Sequence, residues 1–268
     1  MTAGVSKWRL EELTLHDVRE LNWQVIVLPL GATEPHNLHL PYGTDSIEAG
    51  QLADRCAARA WQMGGRVGVL PTLPFGTESN LSQFPLAIDI RPTTLFAVLG
   101  DVVRTVEKSG INKLLLFNSH GGNDLKPFLR EIYGQTSVHV FLCNWYHMVR
   151  DRAQEICQHQ DDHAGEMETS LILRYAPQLV RRDSAGKLAA DEGKTRPLRF
   201  EALREGWVAL SRPWHLLTTN SGSGYPHSAD AEKGVLLEQV VVDRVGPFLA
   251  ELSKADVAEP FPFVEFSD

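Results

Sequence analysis

Two hydrophobic patterns alternate along the chain, and together they predict its secondary structure. Short apolar runs predict strands at residues 24–30, 66–73, 113–117 and 138–145. The first run is apolar at every position from Val25 to Leu30. A strand without polar positions is covered on both faces, as the strands of parallel sheets are.

Between the strands, apolar residues recur at the spacing of a helix. They follow the i, i+3, i+4 pattern at Ala49, Leu52, Ala53, Cys56 and Ala60, which predicts a helix with one buried face and places Cys56 in the core. Further helices are predicted at about residues 93–108, 125–134, 164–175 and 230–252. A polar loop is expected over residues 146–163, and residues 180–224 are expected to be irregular or hairpin-like. Strands that alternate with helices predict an α/β fold with a mainly parallel sheet.

Composition sets limits on this picture. Of the 268 residues, 43% are hydrophobic and 22% are charged, which is typical of a globular protein. Neither a repeat nor a linker divides the chain, so we expect one domain over residues 1–268. The net charge is −8 and no block of Lys and Arg occurs, which argues against binding to nucleic acid or to an anionic membrane.

Features that report on cellular location favour the cytoplasm. Charged residues interrupt positions 1–22, which therefore lack the apolar region of a signal peptide. No apolar stretch reaches the length that spans a bilayer. The cysteines Cys56, Cys143 and Cys157 are odd in number and lack C-x-x-C spacing, which argues against a disulfide framework and a zinc knuckle. We expect a cytoplasmic protein.

Ionisable residues gather after the first predicted strand, where α/β proteins bind ligands. In an extended segment Glu34 and His36 project to the same side, and Asp45 arrives from the start of the next helix. Carboxylates mixed with imidazole suit zinc, manganese or iron. Two of these residues have simpler explanations. Asp45 precedes Glu48 at the spacing of a helix cap, and His39 could hydrogen-bond the backbone of its loop.

The third predicted strand ends in the loop Asn118-Ser-His-Gly-Gly-Asn123. Its paired glycines permit positive φ or close backbone approach, and His120 could supply an imidazole to the same crevice. A tight turn with an incidental histidine explains the loop equally well. Trp145, at the end of the fourth predicted strand, could line a pocket, although most such aromatic residues pack in a core.

One carboxylate on the helix predicted at residues 164–175 faces inward. At ~100° per residue, Glu168 lies in the middle of the apolar arc, whereas Glu166 lies roughly opposite, on the face expected to be solvated. A carboxylate aimed at a core needs a metal ion, an Arg or Lys side chain, or backbone amide donors. His163 precedes this helix, either as a general acid or base or as part of its N-terminal cap.

Taken together, these motifs resemble those of the creatininase (creatinine amidohydrolase) family. The resemblance extends over about residues 28–235 and rests on four segments in order: Glu34-x-His36-x-x-His39-Leu-Pro-x-x-Thr44-Asp45, Asn118-x-His120-Gly-Gly-Asn123, His163-Ala-Gly-Glu-x-Glu168-Thr-Ser170, and Gly224-x-Pro226 followed by Ala229 and Gly234. It implies a layered α/β/α fold with a mainly parallel central sheet, two divalent metal ions per chain, and a homo-oligomer such as a hexamer.

The resemblance also implies roles for individual residues. The metal ligands would be Glu34, His36, Asp45 and His120, with Asp45 bridging two ions, and we add Glu168, which matches a glutamate near the metals. The catalytic residues would be His163, which matches a histidine assigned to proton transfer, and Glu168. The candidate substrate-binding residues are His39, Asn123 and Trp145.

The chain departs from the family pattern at three places. Asn37 stands where the family usually has Gly, and Gly122 stands where creatininase has a further glutamate ligand. Creatininase closes two tryptophans over its substrate. This chain has a counterpart for only one of them, Trp145. These departures argue against creatinine itself as the substrate.

The expected function is therefore that of a metal-dependent amidohydrolase, acting on the C–N bond of a small cyclic amide or a formamide-like substrate. A hydroxide bridging two ions, with zinc favoured over manganese or iron, would attack the amide carbon, because metal coordination lowers the pKa of water towards ~7. His163 would protonate the departing nitrogen. One alternative is a non-catalytic, metal-dependent small-molecule-binding protein with the same fold. The other is a serine esterase, because His120-Gly-Gly resembles a lipase oxyanion loop, but no G-x-S-x-G elbow occurs around Ser223.

Overall fold

A four-stranded parallel sheet forms the centre of the protein. The computed structural model describes residues 6–160, 162–258 and 260–264, so the outermost residues of the predicted domain lie outside the described ranges. The strands are β1 (Val25–Leu30), β2 (Val67–Val69), β3 (Lys113–Asn118) and β4 (His139–Asn144), in the spatial order β2-β1-β3-β4. β1 is therefore central, and it pairs in parallel with both β2 and β3.

Helices connect the strands and cover the sheet. They are α1 (Leu15–Leu21), α2 (Thr44–Gln62), α3 (Pro92–Lys108), α4 (Lys126–Ile132), α5 (Trp145–Met148), α6 (Arg150–Ile156), α7 (Glu166–Tyr175), α8 (Glu201–Arg204), α9 (Trp214–Leu217) and α10 (Ala231–Lys254). Single 3₁₀ turns occur at Leu10–Glu12, Pro177–Leu179 and Pro226–Ser228. Within the described ranges, no helix is long and apolar enough to cross a membrane.

The alternation of side chains along β1 divides the core into two layers. Val25 and Val27 pack with residues of α2 and α10 on one face of the sheet, whereas Ile26 and Leu28 pack with residues of α3 on the other. All four side chains are buried. The predicted layered α/β/α fold is thus confirmed, and Cys56 lies in the first layer as its spacing predicts.

The second strand is shorter than predicted. It ends at Val69 rather than extending to residue 73. Pro71 follows closely, and proline cannot donate the backbone hydrogen bond that a strand ladder needs. Leu73 still makes an isolated parallel bridge to Leu30, so the segment continues beside β1 without forming a regular strand.

Outside residues 180–224, two regions contain helices that the hydrophobic pattern did not predict. α5 and α6 occupy most of the stretch expected to be a polar loop, and Trp145, Val149 and Ala153 recur there at helical spacing. α1 begins at a capping box in which the Thr14 and Asp17 side chains each bond to the other's backbone N–H. Both signals are present in the sequence, but each helix is short.

Residues 180–224 are largely irregular, as predicted. This segment contains the short helices α8 and α9 and an antiparallel bridge between Arg182 and Leu188. It packs onto the loop that follows β1, where Ser221 Oγ accepts a hydrogen bond of 3.0 Å from the backbone N–H of Asn37. The segment therefore helps to shape the carboxyl edge of the sheet.

Candidate metal centre

The ends of β1 and β3 bring the two motif loops together. Leu30 and Asn118, the last residues of these strands, are partners in register. The loops that follow therefore begin side by side, at the edge where α/β sheets bind ligands. The structure brings six predicted site residues into one cluster there: Glu34, His36, Asp45, His120, His163 and Glu168.

Glu34, Asp45 and His120 form one group that could hold a metal ion, which we call the first position. His120 Nδ1 lies 3.1 Å from Glu34 Oε1 and 2.9 Å from Asp45 Oδ2. All three residues are buried, at 1%, 1% and 5% exposure respectively. A proton or a metal ion must lie between these atoms, because carboxylate oxygens and a nitrogen lone pair repel one another at such distances.

His36, Asp45 and Glu168 form a second group, which we call the second position. His36 Nε2 lies 2.9 Å from Asp45 Oδ1, and His36 Nδ1 lies 3.1 Å from the backbone carbonyl oxygen of Glu34. Because that carbonyl can only accept a hydrogen bond, Nδ1 carries a proton and Nε2 is the atom presented to the carboxylates. Glu168 is half-buried and accepts a hydrogen bond from the Ala164 backbone N–H. Asp45 thus contributes one oxygen to each position.

The electrostatics of the cluster favour bound positive charge. Burial lowers the pKa of His36, but the carboxylates of Asp45, Glu168 and Glu34 together outweigh this effect and raise that pKa to about 10. Burial also opposes protonation of His120, whereas Glu34 and Asp45 together raise its pKa. Burial raises the pKa of Asp45, yet the two imidazoles hold it well below its usual range. Metal ions can replace the imidazole protons in this arrangement.

Buried atoms without partners provide a test of whether the residues fit a metal. Glu34 Oε2 is buried and has no hydrogen-bond partner within the described structure, and Asp45 Oδ2, although 2.9 Å from His120 Nδ1, makes no well-directed hydrogen bond there. Leaving a buried carboxylate oxygen unpaired is costly, and coordination to a cation removes that cost. The oxygen and nitrogen ligands suit zinc, manganese or iron. The residues therefore fit the metal centre that the motifs imply.

His163 meets the cluster with a neutral ring. Its Nε2 donates to the backbone carbonyl of Pro35 at 2.9 Å, and its Nδ1 lies 3.7 Å from Glu34 Oε1. Burial lowers the pKa of His163 to about 3, and the positive charge of His36 adds to this effect. The ring also packs edge-on against Trp214. This tautomer leaves the Nδ1 lone pair free to accept a proton or, together with Glu34 and His36, to bind an ion.

A cavity of about 520 Å³ opens onto the cluster. Its lining includes ligands of both positions, His163, and the rings of Trp145 and Trp214. Arg150 and Arg212 also contribute to its wall. Arg150 continues into an adjoining groove of about 580 Å³, which residues 192–195 help to line.

The three predicted substrate-binding residues occupy different places. Trp145 lines the cavity, although it is only 1% exposed and its indole N–H donates to Ser119 Oγ at 2.8 Å. The Asn123 side chain accepts from the Thr77 backbone N–H at 3.2 Å, and His39 Nε2 lies 2.8 Å from Thr169 Oγ1. Neither Asn123 nor His39 is among the residues that line the cavity.

Two buried glutamates beside the cluster were missed by sequence reasoning. Glu78 Oε1 lies 2.9 Å from His120 Nε2. Glu48 is fully buried and accepts a hydrogen bond of 3.1 Å from Ser119 Oγ. Glu78 lies in a long loop without periodicity, which offers no signal, whereas the spacing of Glu48 from Asp45 was available and was interpreted as part of a helix cap.

The cap interpretation of Asp45 is wrong. The N-cap residue of α2 is Gly43, and the helix already begins at Thr44. The Asp45 carboxylate points instead at the imidazoles of His36 and His120. Local spacing could not distinguish these roles, because the second imidazole comes from a loop more than 70 residues further along the chain.

The prediction that Glu166 faces solvent is also wrong. Glu166 is fully buried, and its Oε1 lies 2.6 Å from Lys233 Nζ. Its Oε2 accepts hydrogen bonds from the backbone N–H groups of Gln158 and His159, at 2.8 and 2.9 Å. The loop before α7 and the start of α10 thus bury a face of α7 that its periodicity alone predicted to be exposed to solvent.

Asn37 tolerates the backbone conformation that the family supplies with glycine. Its φ is 54°, in the left-handed region that asparagine adopts more readily than most residues. Its side chain exchanges hydrogen bonds with Asp191: Nδ2 donates to Oδ1 at 3.2 Å, and Oδ1 accepts from the backbone N–H at 3.2 Å. Together with the bond from its backbone N–H to Ser221, these contacts hold the loop between Glu34 and His39.

Comparison with known proteins gives a consistent picture. The family model described as creatinine amidohydrolase (Creatininase) matches residues 11–249. A mycofactocin precursor peptide peptidase from Mycobacterium ulcerans is 29% identical over 234 residues, which is 82% of each chain. Creatinine amidohydrolase from Pseudomonas putida is 27% identical over 197 residues, 62% of this chain and 74% of the relative.

Solved structures share the fold. A Bacteroides fragilis protein described provisionally as a creatinine amidohydrolase matches with a TM-score of 0.87 and 35% identity, covering 94% of this chain and 99% of its own. A creatininase described with Mn and a mutant creatininase of a Zn-Zn type match with TM-scores of 0.72 and 0.71 at 22% and 23% identity. Each covers 92% of this chain, and 99% and 98% of its own.

Proposed function

The chain belongs to the creatininase (creatinine amidohydrolase) family, and from this membership we propose that it is a metal-dependent amidohydrolase. We propose two divalent metal ions per chain, with zinc preferred to manganese or iron. One observation carries the proposal: the two carboxylate oxygens of Asp45 face different sets of buried ligands. A carboxylate shared in this way suits a ligand that bridges two ions. The creatininases described with Mn and with Zn support this range of metals.

In this proposal each position would hold one ion. Glu34, Asp45 and His120 would hold the first, and His36, Asp45 and Glu168 would hold the second. Metal ions supply two effects when bound: they polarise a carbonyl oxygen, and they lower the pKa of bound water towards about 7. The protein contributes a buried ligand set, which limits competition from bulk water.

His163 is the residue that transfers the proton. The Pro35 carbonyl holds its Nε2–H, so only Nδ1 faces the cluster. A neutral imidazole in this tautomer can accept the proton that water loses as it attacks the amide carbon, and its lowered pKa favours prompt transfer of that proton to the departing nitrogen. Trp214 restricts rotation of the ring by packing against it.

The substrate class follows less directly from the site. A small cyclic amide or a formamide-like compound is the first candidate, because the family includes creatinine amidohydrolases. A peptide amide is the second candidate. It is favoured by the cavity of about 520 Å³ and the groove that continues from it past Arg150, which together offer more room than one small ring needs. The relative from Mycobacterium ulcerans is described as acting on a peptide precursor.

Metal analysis of the purified protein beside His120→Ala tests this function. We expect close to two divalent ions per wild-type chain, fewer in the variant, and loss of hydrolysis after chelation. Cyclic amides, formamides and short peptides are the substrates to screen. Failure to bind metal after reconstitution would contradict the proposal. Metal uptake with ligand affinity but no product would favour the non-catalytic binding protein. Inhibition by a serine-directed phosphonate without sensitivity to chelators would favour the serine esterase.

A cytoplasmic location is a further part of the proposal, and so is a homo-oligomer, which rests on the family resemblance. Light scattering of the purified protein measures the assembly directly. A hexamer would agree with the resemblance, and a monomer at all concentrations would contradict it.

A further inference from the structure

Glu78 lies beside His120 of the first metal position. It belongs to the loop between β2 and α3, and it is 1% exposed. Its Oε1 lies 2.9 Å from His120 Nε2 and has no well-directed hydrogen bond within the described structure. The loop is held in place because the Glu78 backbone N–H donates to Asp89 Oδ1 at 2.8 Å.

The two nitrogens of His120 face different surroundings. Nδ1 faces Glu34 and Asp45, the other ligands of the first position. Nε2 faces the Thr77 carbonyl oxygen at 3.1 Å and the Glu78 carboxylate. The Thr77 carbonyl oxygen can only accept a hydrogen bond, so Nε2 retains its proton and the Nδ1 lone pair is directed at a cation. A carboxylate on the far side of a ligating imidazole fixes the tautomer and strengthens the ligand.

The neighbouring Gly122 explains why this carboxylate comes from a distant loop. A Cβ at position 122 would lie 2.2 Å from the Thr77 carbonyl oxygen and 2.3 Å from His120 Nε2. No side chain fits there while the Thr77–Glu78 segment packs against His120. The negative charge next to His120 is therefore supplied by Glu78 and not by the loop that follows β3.

We propose that Glu78 is a positioning residue that holds His120 through Nε2 and makes the first metal position the tighter of the two. The inference rests on the proposed metal centre. Among the residues that the structure describes, the second position has no equivalent partner, since the remote nitrogen of His36 is bonded to a backbone carbonyl, which carries no net charge. Glu78 itself does not belong to any of the groups whose atoms could jointly hold an ion within the described structure.

The test compares Glu78→Gln with wild type in Co²⁺ titrations of the metal-free proteins. Glutamine keeps the shape of the side chain and removes its charge. We expect affinity at one of the two positions to fall by about 10- to 100-fold, with the other unchanged. In Co²⁺-loaded protein, the exchangeable Nε2–H proton of His120 gives a paramagnetically shifted NMR signal. We expect this signal to move and to exchange faster with solvent in the variant.

Asp89→Asn is the matched control. It makes the same chemical change in the residue that anchors the loop, without touching His120. We expect it to retain wild-type Co²⁺ binding and the wild-type signal. If it reproduces both changes, the effect belongs to the loop and the role of Glu78 is overturned. Glu78→Asp retains the charge and should bind Co²⁺ more tightly at the first position than Glu78→Gln. Equal loss in both variants would also overturn the role.

The failure of this inference differs from the failure of the proposed function. Wild-type protein that binds no Co²⁺ would overturn the metal centre and the role of Glu78 with it. Two tightly bound Co²⁺ ions and an unchanged signal in Glu78→Gln would overturn the role of Glu78 alone. Circular dichroism of each metal-free variant checks that it is folded. If Glu78→Gln is unfolded, Glu78→Asp is compared with wild type instead.

Discussion

The two candidate metal positions share Asp45 but differ in their surroundings. The first is enclosed: its remaining ligands, Glu34 and His120, are buried, and a second carboxylate, Glu78, lies behind the imidazole. The second includes the half-buried Glu168, and its imidazole is supported by a neutral backbone carbonyl. A buried, charge-supported site holds its ion more firmly than a partly exposed one. We therefore expect the first ion to bind more tightly and the second to exchange more readily.

The two positions also depend on different parts of the fold. Glu34 and His36 come from the same loop, which Asn37 and Ser221 hold, so the difference lies in the other ligands. His120 directly follows a strand in the middle of the sheet, whereas Glu168 lies on α7, outside the sheet. A residue at the end of a strand that is paired on both sides has little freedom. From this difference we expect Asp45 to connect a position that binds its metal ion tightly to one whose metal ion exchanges more readily.

The largest effect is expected from Asp45→Ala, which removes the shared ligand. Both ions should be lost, and turnover should fall by about 10⁴-fold or more, since metal ions contribute several kcal/mol to such reactions. Elemental analysis and a hydrolysis assay measure the two effects. Asp54→Asn, on the same helix and also buried but bonded to Trp8 and Arg9, should retain both ions. Retention of two ions in Asp45→Ala would refute the bridging role.

Glu168→Gln tests whether the positions are separable. We expect one ion to remain at the first position while the second is lost, with turnover reduced by about 10³-fold because both ions act on the substrate. Isothermal titration with Zn²⁺ on the metal-free variant should show one binding step where wild type shows two. Loss of both steps together would show that the positions behave as one unit.

His163→Ala tests the proton-transfer role without removing an assigned ligand. Both ions should remain bound, while turnover falls by about 10²-fold or more, the usual contribution of a general acid or base. The measurement is kcat with metal content determined on the same sample. Loss of an ion in this variant would assign His163 to the Glu34–His36–His163 group as a ligand instead.

The smallest and most graded effect is the dependence of metal binding on pH. In the metal-free protein burial lowers the pKa of His36, but the carboxylates of Asp45, Glu168 and Glu34 outweigh burial and raise that pKa to about 10. At pH 7 His36 is therefore protonated, and a metal must displace that proton. Affinity at the second position should increase as the pH rises from 7 towards 10. Calorimetry in buffers of different ionisation enthalpy measures the proton release, and binding without release would contradict this expectation.

Much of the fold could be predicted from the pattern of side chains, because each strand and helix is determined largely by residues close to one another. The apolar run of β1 and the spacing in α2 are two such local signals, and both elements appear where predicted. The helices α5 and α6 were missed because their apolar positions are separated by charged and polar residues. The short β2 was overestimated because proline interrupts an otherwise apolar run.

By itself the sequence determined the α/β order of elements, the chemical types gathered after the strands (Glu34, His36 and His120), and the inward-facing Glu168 on a helix. Only the tertiary structure decided three contacts. Asp45 contacts the imidazoles of both His36 and His120, Glu166 is buried against Lys233, and Glu78 contacts Nε2 of His120. The physical reason is the range of the interactions. Periodicity depends on neighbours within a few residues, whereas the partner of a buried charge comes from whichever distant element packs against it.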